Sequence, residues 1–498
     1  MIINRTIDNR QTQMGPHNIK GKIVSGVFWN VLQLIINKTF SFAIKLVLAK
    51  FLFPEQFGLV GMAAVFTSFV QVFNELGIGA ALVQRKDEHL RDSHFYTAFW
   101  TGVVWSVGIF LLITFVVAPL AANFYNEPLL RSIIPVLSIG VLSSPVNLVH
   151  RAQLTKKMDF KKLAFIGNAS TIFAGAVALV LALQGAGVWS LVFNSVASFV
   201  IAMPLYFRAT GWMPKLIWEK QAFNDIFGFG IYTTGTSILN NLLYNLDYLL
   251  IGKLVSASAL GVYTFAFVLT DTFRNQFTIM MNKVMYPVYG RHQDDPGLLK
   301  KYYLKVVTYN SLIIYPIMVL LIILGEPLIL NFFGSKWEES ILPMKILALS
   351  VMVHMLVSGH ASLLRGQGRP KLELKLQFFK AVFLYAPLIT LGIYKYGIVG
   401  ASWACVAYKV LEVILIQYYL KKVVDISIKD ILTHLKVPFI ASAVSFVLTS
   451  MLYLAGVHYL ICAMVLGLTY TGIVVMLMHE ELMLQYRELK KGRVKQVA

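Results

Sequence analysis

Apolar residues come in runs of about 20, separated by short charged stretches, which is the pattern of helices that cross a bilayer. Spans fall near 23–49, 57–83, 95–118, 129–149, 163–184, 187–207, 223–252 and 259–282. A second set follows near 303–330, 340–363, 376–394, 397–420, 437–456 and 458–479. The reading is fourteen spans, with twelve as the alternative. Lipid offers no partner for a free backbone N–H or C=O, and the short connections suit antiparallel neighbours. The expected fold class is therefore all-α, a polytopic membrane bundle. The first run is too long for a signal-peptide core, and no A-x-A-like cleavage site follows it, so it is expected to stay as the first span.

A repeat organises the spans. Shifting the chain by 203 positions aligns Ile35 with Ile238, Asn37 with Asn240, Leu46 with Leu249 and Lys50 with Lys253. It also aligns Gly58 with Gly261, Ala63 with Ala266, Val65 with Val268 and Thr67 with Thr270. Shared apolar composition does not readily match an Asn, a Lys, a Gly and a Thr in register. An offset of six spans preserves orientation, so the repeat predicts two parallel six-helix lobes around a central cavity. The expected organisation is a tail over 1–22, an N-lobe over 23–212, a C-lobe over 213–424, two extra helices over 425–482 and a tail over 483–498.

Composition narrows the function classes. Of 498 residues, 57% are hydrophobic and 14% charged; soluble domains carry about 25% charged residues, so a cytosolic enzyme is excluded. Mean hydropathy is +0.68. The formal charge of +20 raises nucleic acid as a partner, but the basic residues sit in small clusters between spans, as the positive-inside rule places them. With the amino terminus cytoplasmic, the cytoplasmic segments hold 32 Lys and Arg against four, Lys50, Lys253, Lys336 and Lys395, on the other side. Both termini are thus expected in the cytoplasm. Cys405 and Cys462 lie in apolar runs and suggest neither a disulfide framework nor a metal site.

Charged side chains inside a bilayer cost about 2.5–3.5 kcal/mol on insertion scales, so those retained face a cavity or a partner. Lys38 and Lys45 lie two turns apart on one face of span 1. Gln71 and Glu75 share a face of span 2, and Asn240, Tyr244 and Asp247 form a polar stripe on span 7. Span 8 carries Asp271, Arg274, Asn275 and Thr278, and span 12 carries Lys409 and Glu412. Under the repeat, Gln71 maps onto Arg274. A cavity with several cations suits an anionic head group such as a phosphate or pyrophosphate. Asp271–Arg274 and Lys409–Glu412 read equally well as ion pairs holding helices together. Glu75 and Asp247 lack a basic partner on their own helix and are candidates for carrying H+ or Na+, unless a Lys of another helix pairs with them. Lys283 and Lys380 lie near span ends, where snorkelling accounts for them, and His354 and His360 read as packed, hydrogen-bonded histidines. Pro145, Pro204, Pro316 and Pro387 are candidate bends.

No G-x-x-x-x-G-K-[ST], H-E-x-x-H or G-x-S-x-G occurs, and loops of about 15–20 residues leave little room for a catalytic domain. A transporter without cofactor or metal is expected, rather than an enzyme.

The segments Leu52-Phe-Pro-Glu-Gln-Phe-Gly58, Glu75-Leu-Gly-Ile-Gly-Ala-Ala-Leu-Val-Gln-Arg85 and Arg151-Ala-Gln-Leu-Thr-Lys-Lys-Met-Asp-Phe-Lys161 resemble those of bacterial polysaccharide transporters. So do Gly261-Val-Tyr-Thr-Phe-Ala-Phe267, Val284-Met-Tyr-Pro287 and Arg291. That family belongs to the multidrug/oligosaccharidyl-lipid/polysaccharide exporter superfamily and includes O-antigen, colanic acid and teichuronic acid exporters. The resemblance runs from about residue 20 to 480. It implies two six-helix lobes, residence in the bacterial inner membrane and flipping of a lipid-linked oligosaccharide with an anionic pyrophosphate head. It further implies head-group cations at Lys38, Lys45 and Arg274. Lys380, Lys409 and Glu412 are weaker site candidates. Candidates for ion coupling are Glu75, Asp247 and Asp271. The rivals are an ion-coupled multidrug exporter of the same superfamily and an integral-membrane polysaccharide polymerase.

Overall fold

The computed structural model describes residues 16–75, 78–85, 87–227, 241, 245–480 and 483. The side chains of Gln71 and Glu75, and the residues Asn240 and Tyr244, lie outside the described set. The chain forms two compact units, residues 1–245 and 246–498. Among the described residues every regular element is helical.

The first unit runs α1 (Pro16–Phe51), α2 (Pro54–Glu75), α3 (Ile78–Gln84), α4 (Asp92–Leu112), α5 (Ala118–Tyr125), α6 (Leu130–Leu142), α7 (Ser144–Lys156), α8 (Phe160–Leu183), α9 (Val188–Thr210) and α10 (Lys220–Phe227). A π-helical turn over Ile113–Val117 joins α4 to α5. The second unit runs α11 (Leu246–Leu254), α12 (Ala257–Arg291), α13 (Pro296–Phe332), α14 (Ile341–Met355), α15 (His360–Gly366), α16 (Pro370–Phe379), α17 (Ala386–Val424), α18 (Ile428–Leu454) and α19 (Tyr459–Leu477). A second π-helical turn, Lys380–Tyr385, joins α16 to α17.

Ten helical stretches among the described residues are long and apolar enough to cross a membrane, and the protein is a multi-pass membrane protein. The longest, Pro370–Val424, is two helices, because α17 breaks at Tyr396 and Gly397. The expected span 340–363 is also interrupted: α14 ends at Met355, Gly359 takes a φ of 85°, and α15 restarts at His360. Pro145 and Pro387 open helices, whereas Pro204 and Pro316 lie within them.

The two units repeat one detail of backbone geometry. Gly187, between α8 and α9, has φ 57° and ψ −129°; Gly397, inside α17, has φ 57° and ψ −137°. A side chain at that φ would clash with the backbone, so a glycine serves the turn in each hairpin.

The compact units divide after Asn245. The segment after α9 folds back on the first unit. Trp100 Nε1 donates to the Lys215 carbonyl at 2.7 Å, Trp218 Nε1 to Thr101 Oγ1 at 3.1 Å, and the Glu219 N–H to Thr97 Oγ1 at 3.0 Å. Ala222 and Ile226 of α10 are wholly buried. Asp225 accepts from Arg85 Nη2 at 2.7 Å and from His94 Nε2 at 3.3 Å. His94 Nδ1 accepts the Arg91 N–H at 3.0 Å, so Nε2 carries the proton it donates.

The helices α18 and α19 pack on α13 within the second unit. Lys300 Nζ meets Asp430 Oδ2 at 2.7 Å, and Tyr470 donates to the Leu312 carbonyl at 3.0 Å. Ser427 and Asp430 cap α18 reciprocally.

Candidate functional site

In the first unit the two span 1 lysines are placed by how α1 meets α8. Asn37 Nδ2 donates to Thr171 Oγ1 at 2.6 Å, and Ile44 packs where a Cβ on Gly175 would collide with it. Positions 37 and 44 therefore face α8. Lys38 and Lys45 each follow by one residue, about 100° round the helix, on an adjacent strip where both are exposed. They are near enough to repel one another. Their shared face matches the expected spacing.

Ser68 on α2 joins a second polar knot. Asn241 Nδ2 donates to the Ser68 carbonyl at 2.6 Å, Ser68 Oγ to Asn241 Oδ1 at 3.0 Å, and Asn245 Nδ2 to Ser68 Oγ at 3.3 Å. These asparagines of the expected span 7 are satisfied locally, as buried amides require.

The second unit concentrates the charge. Arg274 Nη2 lies 2.5 Å from Asp271 Oδ1, with Nε at 2.6 Å, one turn apart on α12. This is the ion pair that their spacing allowed.

A larger cluster centres on Glu412 of α17, whose side chain is 4% exposed. Its Oε1 accepts from Lys380 Nζ at 2.7 Å. Its Oε2 accepts from Lys409 Nζ at 2.9 Å and from His354 Nδ1 at 3.2 Å. Lys380 also donates to His360 Nε2 at 3.2 Å, while His360 Nδ1 bonds the Val357 carbonyl at 2.8 Å. One carboxylate thus gathers donors from three elements, the π turn, α14 and α17 itself.

The structure corrects the expectation for Lys380. It does not snorkel: it is buried and paired. The sequence placed it near a span end, but the π turn begins at Lys380 and redirects it inward. The histidines are packed and hydrogen-bonded as read, yet they belong to the charge cluster. Only the interruption after α14 brings His354 and His360 to either side of it, and no spacing rule on one continuous span shows that.

Asp247 of α11 is 3% exposed. Its Oδ2 accepts from Tyr263 Oη at 3.2 Å, its Oδ1 from the Tyr248 N–H at 3.0 Å, and Tyr385 bonds it as well. Cys405 Sγ lies 3.5 Å from Tyr263 Oη. These partners of Asp247 are two hydroxyls and a backbone amide. The π turn links this group to the first, since it carries Lys380 at its start and Tyr385 at its end. Five residues apart on an α-helix point about 140° from each other. In the widened turn, where the Ala386 N–H bonds the Ala381 carbonyl five residues back, both reach inward. π turns are frequent at functional positions.

The known proteins agree with this architecture. A family model described as polysaccharide biosynthesis protein matches residues 47–342. The lipopolysaccharide biosynthesis protein WzxC of Escherichia coli K12 is 24% identical over 437 residues, 85% of this chain and 86% of its own. The teichuronic acid biosynthesis protein TuaB of Bacillus subtilis 168 is 23% identical over 388 residues, covering 76% and 78%. Among solved structures, the lipid II flippase MurJ in an inward closed conformation aligns with a TM-score of 0.72 at 13% identity, over 92% of this chain and all of that one. An inward-facing multidrug transporter of the MATE family aligns with a TM-score of 0.61 at 15% identity, over 78% and 94%. These structural likenesses establish the all-helical fold that the chain shares with both. With its family model covering more than half of the sequence, the chain belongs to the polysaccharide biosynthesis protein family.

Proposed function

We propose that the protein is a flippase that carries polyprenyl-pyrophosphate-linked oligosaccharide across the bacterial cytoplasmic membrane for surface polysaccharide biosynthesis. The observation that carries this reading is the excess of cations over carboxylates in the buried cluster of the second unit, Lys380 and Lys409 against Glu412. A pyrophosphate head suits such a site, and a cationic drug does not. The names of WzxC and TuaB, as proteins of lipopolysaccharide and teichuronic acid biosynthesis, point to the same cargo class.

In this reading Lys38, Lys45 and Arg274 also meet the head group. Asp247, a buried carboxylate held by hydroxyls, carries H+ or Na+, with Asp271 and Glu75 as further coupling candidates. The protein forms fourteen spans with both termini in the cytoplasm, and it breaks no covalent bond in its substrate.

The test is depletion of the native gene, followed by mass spectrometry of polyprenyl-pyrophosphate oligosaccharides with their sidedness probed from outside. Complete repeat units confined to the inner leaflet are the expected result. Incomplete sugars would make the protein an enzyme, and an unchanged lipid pool would make it an exporter of other cargo.

A further inference from the structure

Charge arithmetic at Glu412 distinguishes its two lysines. Lys380 is the more enclosed, with a side chain 9% exposed against 22% for Lys409. It has two acceptors, Glu412 Oε1 and His360 Nε2. Accepting at Nε2 while bonding the Val357 carbonyl through Nδ1 gives His360 the tautomer of a neutral imidazole. His354 donates to Oε2 through Nδ1 and, as a neutral ring, adds no charge. Among the described residues, one carboxylate therefore faces two ammonium groups, while Arg274 and Asp271 balance each other.

We propose that Lys380 is a positioning residue: by sharing Glu412 with Lys409 it leaves the cluster one positive charge in excess, available at Lys409 to an anionic phosphate-class head group. This rests on the flippase reading and adds Lys409 to Arg274 as a head-group contact in the second unit. Three features support it. Lys409 keeps the greater opening to the surface. Its Nζ lies 4.8 Å over the Tyr408 ring, which steers a long side chain without cancelling its charge. Arg274 is near enough to repel Lys409, so an oxyanion shared by the two relieves a repulsion already built in. An unmatched charge in such surroundings is costly until a counter-charge arrives, which is how a carrier favours an anionic cargo.

The test uses the full-length protein in lipid nanodiscs, with farnesyl pyrophosphate as the probe and its Kd as the readout. In Lys380→Met the carboxylate of Glu412 is left to Lys409 alone, and affinity falls about tenfold or more. In the double variant Lys380→Met with Glu412→Gln, the surplus charge on Lys409 returns, and so does most of the affinity. Adding Lys409→Met to the double variant again lowers affinity about tenfold or more. A merely structural Lys380 predicts no such rescue, because the double variant removes more of the cluster. The double variant loses a neutral pair and keeps the net charge, so it also serves if Lys380→Met alone folds poorly.

Wild-type affinity in Lys380→Met, or loss of affinity in the double variant no smaller than in the single, overturns the proposal. Wild-type affinity in Lys409→Met also overturns it and leaves the flippase reading standing. A wild-type protein that binds no pyrophosphate probe sinks both.

Discussion

Arg274 can be a cargo contact or a strut, and its pairing with Asp271 allows the two roles to be separated. The N–O distance of 2.5 Å gives a gross attraction of about 7 kcal/mol at an effective dielectric of roughly 20. Desolvation of both groups cancels much of it. Removing one partner of a buried pair nonetheless costs about 3–5 kcal/mol, because the other charge is stranded. The side chains of Arg274 and Asp271 retain 17% and 10% exposure, which favours the lower end, about 3 kcal/mol. Arg274→Met should therefore lower the apparent Tm by about 6–12 °C for a unit of this size and abolish flipping. Combined with Asp271→Asn, it strands no charge and should regain stability to within about 1 kcal/mol. That double variant should still fail to flip. The assays are thermal unfolding by intrinsic fluorescence in detergent and accumulation of lipid-linked repeat units in cells that carry the variant as their only copy. A double variant that flips at the wild-type rate would refute the cargo role. A single variant as stable as wild type would refute the electrostatic reasoning.

Three further outcomes follow from particular contacts. Lys300, the capping Ser427 amide and the Ser427 hydroxyl hold the Asp430 carboxyl below its ordinary range. That contribution is present above the unfolded carboxylate value of about 3.9 and is lost as pH falls through the lower folded value. Lys300→Met should then cost at most about 1 kcal/mol at pH 7 for so open a pair, with the difference from wild type fading in acid denaturation curves. Asp225→Asn should speed amide exchange over residues 220–227, since α10 is tied to the first unit through that carboxylate. Unchanged exchange at pH 7 would show that apolar burial alone suffices. Trp337 is fully buried, with its ring 4.2 Å from that of Phe265, so Trp337→Ala should destabilise the second unit by about 3–5 kcal/mol in thermal unfolding.

Much of this protein is legible in the chain itself. Runs of apolar residues dictate helices wherever lipid is the solvent, because no other local structure satisfies the backbone. Spacing along one helix gave the shared face of Lys38 and Lys45 and the pairings Asp271–Arg274 and Lys409–Glu412, since neighbours three or seven residues apart need only the helical period. What spans separate elements was decided by the tertiary structure. Lys380 turned inward because a π turn changes the helical register at that residue, an effect no periodicity encodes. His354 reached Glu412 and His360 reached Lys380 because the helix breaks between the two histidines. Asp247 found hydroxyls of Tyr263 and Tyr385, contributed by α12 and the π turn. The physical reason is common to all three. Sequence periodicity fixes direction around a single axis, whereas the neighbours that determine a buried charge's balance come from several axes and meet only once the helices pack.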